Sequence, residues 1–545
     1  MRTSFTKIAS LFAVAAAFSS CILTEEADLV VHNATIYSVD EEFSVHQAMA
    51  IKDGKIIELG AEREILNRYK YKEKYDARKK FIYPGFFDAH SHFLGYARNQ
   101  GEIDLFGTTS FDEVIERVQS FVKQSDREWI VGRGWDNTTW DNRDFPTKSQ
   151  LDSIFPDRPV HLTRVDGHAV LVNEEALRRS GIDKTTIIEG GLIEKNAEGE
   201  LTGILLDNAE TYAASFIPPM SVDLQKELIR KAQYSCFEAG LTSVTDAGLS
   251  IQDIRLLDSL QKADAVSIRV FAMLSQGEEA IAFMEKGPLK TDNLNVRSIK
   301  IYADGALGSR GALLKEPYTD DSENYGLRLI SDSLLAQYCK TAKTNNFQVI
   351  THCIGDSANS FVLNTYAKVL GEISDRRWRI EHAQVVSPED RNTFREYAII
   401  PSVQPVHATS DQYWAEERLG AERIKHAYAY KSLKEELGWI PLGTDFPVEP
   451  IPPISNFYAA VFRKNPSGKD SEPFQIEEAL TREEALRGIT IWPALASFEE
   501  NEKGSLETGK LADIVVLDND LMKSSEERIL KTEVVATFLS GEQVY

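Results

Sequence analysis

The chain has 545 residues, 42% of them hydrophobic, with 61 Lys+Arg against 84 Asp+Glu and a formal net charge of −23. That length and apolar content support a large buried core and exclude a disordered chain. The acidic balance speaks against a nucleic-acid partner, because phosphate backbones select Lys/Arg-rich surfaces.

Residues 1–21 read as a targeting segment. Arg2 and Lys7 give a basic start, and the apolar stretch 8–18 is too short to span a bilayer. Phe18-Ser19-Ser20-Cys21 is similar to the bacterial lipoprotein signal, in which the cysteine is lipidated, although Leu is usual where Phe18 stands. Ordinary cleavage near Ala15-Ala16-Ala17 is the alternative. Both readings export the mature protein to the periplasmic side of a bacterial envelope, and the lipid anchor is its one expected membrane contact. Cys236, Cys339 and Cys353 are too few for a disulfide framework, and no CxxC spacing offers a cysteine zinc site.

After a short tether, 28–60 reads as strands and turns, with Asp53-Gly54 as a hairpin signal. The C-terminus reads alike at 513–517 and 534–539. The simplest arrangement is one small β sandwich domain from both ends, 28–80 and 450–545 with flanking helices. Between them, 81–449 alternates strands and helices. Buried strands are predicted at 81–90, 241–247, 267–274, 298–304, 347–353, 377–383, 398–404 and 439–445. Helical patterns lie between them, for example at 222–238, 332–344, 357–370 and 388–396. Eight such units fit a (β/α)8 barrel of the α/β class. Residues 94–240 are far too long for one crossover, and they carry their own strands (129–133, 160–165) and helices (111–123, 173–180). They are read as a subdomain inserted after the first strand, on the face where barrel enzymes carry their sites.

The predicted strand ends carry the chemistry. The first ends in Asp88-Ala89-His90-Ser91-His92, and alternation turns both imidazoles to one face. Lys300 lies on the fourth strand, His352 and His382 end the fifth and sixth, and Asp445 ends the eighth. Each alone has a structural reading, such as a satisfied core histidine or a loop cap. Four histidines and an aspartate at barrel strand ends together point to a metal-dependent active site.

The order HxH, Lys, His, His, Asp resembles the amidohydrolase superfamily. PGFFDAHSHF at 84–93 is similar to its first-strand signature, and GSLETGKLADIVVLD at 504–518 to its returning β-domain signature. KIYADGALGSRGA at 300–312, THCIGDSAN at 351–359, RIEHAQ at 379–384, QPVHATSD at 404–411 and VDGHAVLVN at 165–173 resemble its YtcJ-like branch, amidohydrolase family 3. Ile491-Trp492-Pro493-Ala494 departs from the pattern, where small residues are usual. The resemblance implies that His90, His92 and Asp445 bind a metal and that His352 and His382 complete the site. Zn²⁺, as one or two ions, suits these ligands. Lys300 is either carboxylated and bridges two ions, the favoured form, or stays cationic beside one. Asp445 is expected to pass the water proton to the leaving nitrogen. His168 is a candidate to polarise the substrate, Trp135 and Asp136 to line the pocket, and Asp304, Ser309, Arg310 and His407 to touch the substrate.

The expected activity is hydrolysis of a C–N bond, other than an ordinary peptide bond, in a small amide. A cyclic amidase or deaminase is the second reading. A catalytically dead, lipid-anchored binding protein is the third, and it predicts a missing ligand. A homo-oligomer is compatible with all three.

Overall fold

The computed structural model describes residues 25–545 apart from 124, 126 and 468–471. The segment 1–21 expected to be a targeting signal, with Cys21, lies outside the described residues. Seven parallel strands stand side by side in chain order: Phe86–Ser91, Leu241–Leu249, Arg269–Ser275, Leu294–Tyr302, Gln348–Cys353, Arg379–His382 and Ile400–Ser402. Residues 439–445 close the ring without forming a regular strand. Val403 N–H donates to Pro441 O at 3.2 Å and Gly443 N–H to Val403 O at 3.0 Å on one side. On the other side Ala89 N–H donates to Leu442 O at 3.2 Å and Asp445 N–H to His90 O at 2.7 Å. Pro441 has no N–H to give, which interrupts the ladder here. The result is a (β/α)8 barrel with a short eighth stave.

The expected first strand divides at Gly85. Phe81–Pro84 pairs with Ile514–Leu517 and Thr35–Tyr37 in the terminal sheet, while Phe86–Ser91 enters the barrel. A Cβ at residue 85 would lie 2.4 Å from the Thr242 side chain, so only glycine lets the chain cross between the sheets here. Inside the barrel, alternation brings Phe87, Phe271, Met273 and Ile350 together with Ala494 from helix Ile491–Ala496. The outer faces of the strands pack under the helices, among them Val222–Glu238, Asp332–Thr344, Asp356–Leu370 and Pro388–Tyr397.

The two ends of the chain build a four-stranded and a six-stranded sheet, the latter mixing N- and C-terminal strands. Leu29, Val31, Met49, Ile82, Ile514 and Val516 form the apolar layer they share. Helices Pro453–Phe462, Arg482–Gly488 and Ile491–Ala496 sit against the barrel instead. Leu442 N–H donates to Gly488 O and Phe87 N–H to Ile489 O, each at 2.9 Å. Ala494 of the unusual Trp-Pro-Ala run packs with Phe87, Phe271, Met273 and Ile350 in the barrel interior. A buried ion pair fastens sandwich to barrel: Arg269 donates to both oxygens of Asp513, at 2.7 and 3.1 Å.

Between the first two barrel strands, six strands between Ile103 and Asp207 form a separate mixed sheet. Its core includes Leu105, Trp135, Trp140, Leu162 and Leu206. Its last long strand, Leu201–Asp207, ends over the C-terminal mouth of the barrel.

Candidate metal centre and active site

His90 is the next-to-last residue of the fully buried strand Phe86–Ser91, and His92 follows that strand as the residue preceding helix Phe93–Asn99. Their Nε2 atoms lie 3.6 and 3.2 Å from Asp445 Oδ1. That oxygen is buried and makes no well-directed hydrogen bond. Ligand atoms bound at ~2.0–2.1 Å around a tetrahedral ion stand ~3.3 Å apart, so the spacing suits a shared zinc-sized cation. A second group converges on the same carboxylate. His382, His407 and Asp445 offer ligand atoms within 4.8 Å of one another.

The backbone is bent to bring these side chains inward. His382, Ala383 and Asp445 have φ of 70°, 42° and 61°, in the left-handed region that non-glycine residues avoid. Strand alternation turns Arg379 and Glu381 into the barrel, and the turn at His382 lets the next side chain join them.

Partners behind the imidazoles fix which nitrogen faces the centre. His90 Nδ1–H donates to Glu381 Oε2 at 2.6 Å, with both side chains fully buried. His382 Nδ1–H donates to Gln404 Oε1 at 2.7 Å, and His92 Nδ1–H to Ala247 O at 3.0 Å. Each Nε2 is thereby left as the lone-pair nitrogen. Protonation follows the same logic. Burial pushes His92 and His407 down, and burial with neighbouring cations pushes His352 and His382 well below the ordinary histidine range. Burial opposes the charge of Asp445, but His90, His92 and His382 outweigh it and hold the carboxyl well below the usual range. Imidazoles pushed toward the neutral form at His92, His382 and His407, beside a carboxylate held toward the ionised form, are the donor set a divalent ion requires.

Lys300 Nζ donates to His90 Nε2 at 3.2 Å. Burial lowers its pKa to about 8, although Glu381 and Asp445 pull the other way. The neutral amine that could add CO₂ is therefore accessible near neutral pH, which an ordinary lysine does not offer. His352 stands beside His382, with ring centroids 4.6 Å apart, but belongs to neither group of three.

His168 reaches the centre from the inserted sheet, its ring 4.9 Å from His352. Its Nδ1–H donates to Asp207 Oδ1 at 2.7 Å. Burial lowers its pKa, but Asp207, Asp166 and Asp304 outweigh burial and raise it overall. Asp207 has φ 52° and lies against Gly305 and Gly311, where a Cβ would come within 2.5 and 2.9 Å of its carboxylate. The glycines of Ala303-Asp304-Gly305…Gly311 thus leave room for a carboxylate from another part of the chain.

Five residues expected to line the pocket or touch the substrate are engaged elsewhere. Asp304 accepts three backbone N–H bonds, from Leu313, Ile354 and Gly355 at 2.8–3.0 Å, and so shapes the strand-end loops. Arg310 pairs with Asp320, and Ser309 is buried with its hydroxyl on Ala306 O. Trp135 is core: it is 1% exposed and its Nε1–H donates to Leu162 O at 2.7 Å. Asp136 caps Asn137–Thr139 and pairs with Arg164. Composition and spacing do not distinguish these roles from substrate contact. Sequence reading missed Glu381, Gln404 and Asp207. Glu381 had a signal, since it is a carboxylate directly before a strand-end histidine.

The sequence model of the amidohydrolase family matches residues 73–545. The putative amidohydrolase YtcJ of Bacillus subtilis is 32% identical, over 94% of this chain and 98% of that protein. N-substituted formamide deformylase of Arthrobacter pascens is 26% identical, over 95% and 98%. The crystal structure of an uncharacterized metal-dependent hydrolase from Pyrococcus horikoshii superposes with a TM-score of 0.74, at 27% identity, over 92% of this chain and 99% of that one.

Proposed function

The chain belongs to the amidohydrolase family and is a hydrolase of carbon–nitrogen bonds other than peptide bonds, and from that premise we propose that it is an exported, metal-dependent enzyme acting on a small N-substituted amide. The observation that carries the metal reading is the convergence of His90, His92 and Asp445 at ligand spacing. The amide reading draws on the relative named N-substituted formamide deformylase, and on a centre that the inserted sheet reaches through His168.

His90, His92 and Asp445 would hold the ion, with His382, His352 and a carboxylated Lys300 as further ligands. A divalent ion supplies Lewis acidity, which polarises a carbonyl and lowers a water pKa from ~15.7 toward ~7. Asp445 Oδ1 faces the two histidines, and Oδ2 is the oxygen left to accept a proton from the attacking water. The same oxygen returns that proton to the leaving nitrogen, which must depart as an amine. His168, oriented by Asp207, donates from Nε2 to the carbonyl oxygen as negative charge develops there. Glu381 and Gln404 hold His90 and His382 in the tautomers this scheme needs.

The test is metal analysis of purified protein beside His90→Ala, followed by a panel of N-substituted formamides and acetamides. Stoichiometric zinc, lost in the variant, with turnover of at least one amide is expected. Protein that binds no divalent metal in any growth medium would overturn the reading.

A further inference from the structure

In strand Ile130–Trp135 of the inserted sheet, Arg133 pairs with Thr163 but Trp135 with Arg164, so Gly134 is an extra, bulged residue. Its φ is 114°, and a Cβ there would fall 2.4 Å from the Phe106 ring. A bulge re-aims the side chains on either side of it. Trp135 turns into the core with Leu105 and Leu162. Val131 packs instead with Ala209 and Ala213 of helix Asn208–Ala214, and alternation puts Arg133 on that same face. The guanidinium lies on the turn that leads to His168. Nη2–H donates to Val165 O at 3.1 Å, and a Cβ at Gly167 would be 2.9 Å from Nη2. Among the described residues this is its one hydrogen bond: Nη1 makes none, Nε is buried without a partner, and no carboxylate reaches ion-pair distance. Arg164, on the neighbouring strand, is by contrast paired with both Asp136 and Asp166. Tyr302 ties Arg133 to the centre. Its ring is 6.2 Å from His168 and 5.6 Å from His352. Burial raises the pKa of its hydroxyl, Asp445 and Glu210 add to that, and Arg133 opposes them, so one hydroxyl lies in the field of both the centre and the guanidinium. Burial also pushes Glu102 and Glu210 up to about 7 against the pull of Arg133, so near neutral pH neither carboxyl offsets that cation in full.

We propose that Arg133 binds a carboxylate of the substrate and makes the enzyme selective for acidic amides. This rests on the hydrolytic reading above and narrows its substrate class. The planar fork of a guanidinium matches the two oxygens of a carboxylate, and the N–H groups that the protein leaves free at Arg133 are the ones such an anion takes. Gly167 directly precedes His168, so the anion is held close to the carbonyl that His168 polarises. An uncharged amide of the same shape leaves the guanidinium without a partner, and the site rejects it on that ground.

The experiment compares each acidic amide with its uncharged carboxamide in the zinc-loaded full chain. N-benzylsuccinamate and N-benzylsuccinamide place the charge on the acyl side, N-acetylglycine and N-acetylglycinamide on the amine side, and the released amine is followed by chromatography. Wild type is expected to prefer the acid in at least one pair, by about 30-fold or more in kcat/KM, as for a desolvated charge pair. Arg133→Gln is expected to lose that preference, with kcat/KM for the acid falling by about as much, chiefly through KM, while the carboxamide stays within about threefold. Arg133→Lys keeps the charge but not the fork, and its acid preference is expected to fall between the two; it carries the test if the glutamine variant lacks a native circular-dichroism melt. The proposal is overturned if wild type shows no acid preference, or if Arg133 variants slow acid and carboxamide alike, which is the mark of a residue that only holds the turn before His168. If none of the four amides is turned over, calorimetric binding of the same compounds decides. Acid bound over carboxamide by wild type and not by Arg133→Gln sustains the subsite while counting against the amide reading, and no difference between them overturns the subsite.

Discussion

Glu381→Gln isolates the contribution of a single buried charge to the centre. The carboxylate accepts the His90 Nδ1–H at 2.6 Å, both groups are fully buried, and His90 in turn presents Nε2 toward Asp445. Glutamine retains an acceptor oxygen but removes the negative charge. A buried hydrogen bond to a charged acceptor contributes ~1.5–3 kcal/mol and a neutral one ~0.5–1.5 kcal/mol, so about 1 kcal/mol is lost there. The new amide NH₂ falls where Oε1 now has no hydrogen-bond partner and the Arg379 guanidinium stands 3.9 Å away. A donor facing a cation without an acceptor costs about 1–3 kcal/mol more. The fold should therefore lose roughly 2–4 kcal/mol in urea unfolding, the sum of those two costs. Zinc affinity, read by competition with a chromogenic chelator, should fall about 10–100-fold, the usual effect of losing a partner behind a metal-binding histidine. Glu381→Asp, which keeps the charge, should recover part of the affinity. A Glu381→Gln protein with wild-type stability and wild-type zinc affinity would refute the claim that this carboxylate sets His90.

Asp445→Asn should lower kcat by about 10²–10⁴-fold in steady-state assays, the range for loss of a general base, and unchanged kcat would remove Asp445 from proton transfer. Lys300 is held at about 8, below its ordinary 10.5, so the unfolded chain binds more protons between those values. In chelated protein that group alone should raise stability by about 3 kcal/mol from pH 8 to pH 10.5. Lys300→Met should remove that rise, and parallel stability–pH curves would contradict it. Asp513→Ala should cost about 3–5 kcal/mol in chemical unfolding, because Arg269 is left buried without its partner. Cys21→Ala should move the protein from the membrane fraction to the soluble envelope fraction, and unchanged partitioning would exclude a lipid anchor.

The barrel was legible because its strands are buried on both sides and read as apolar runs punctuated by helical periods. His90, His92 and Asp445 were legible because strand ends fix where side chains emerge. Two strand assignments were not. At Gly85 the apolar run 81–90 is continuous although the chain changes sheets, and what separates the halves is the close approach of Thr242, a long-range contact. At 439–445 the pattern is that of a strand, while Pro441 leaves only scattered ladder bonds. The helices at 453–496 were assigned to the sandwich by proximity in sequence, yet Ala494 belongs to the barrel interior. Within the site, Asp207 was invisible because its role depends on the inserted sheet reaching the barrel mouth, a tertiary relation. Trp135 and Asp304 misled for the opposite reason, since local position suggested exposure and the fold buried them.

The fit of Asp207 against Gly305 and Gly311 means that the inserted sheet is no exchangeable cassette. Its carboxylate occupies space that two strand-four loop glycines leave open, and the same carboxylate holds His168. Remodelling the insertion for a new amide must preserve that lock. A side chain added at either glycine would push on Asp207 and so disturb His168 with no substitution in the insertion itself. Changes in substrate range should therefore arise in insertion segments away from residues 166–168 and 207, or in paired changes that alter the lock and its key together.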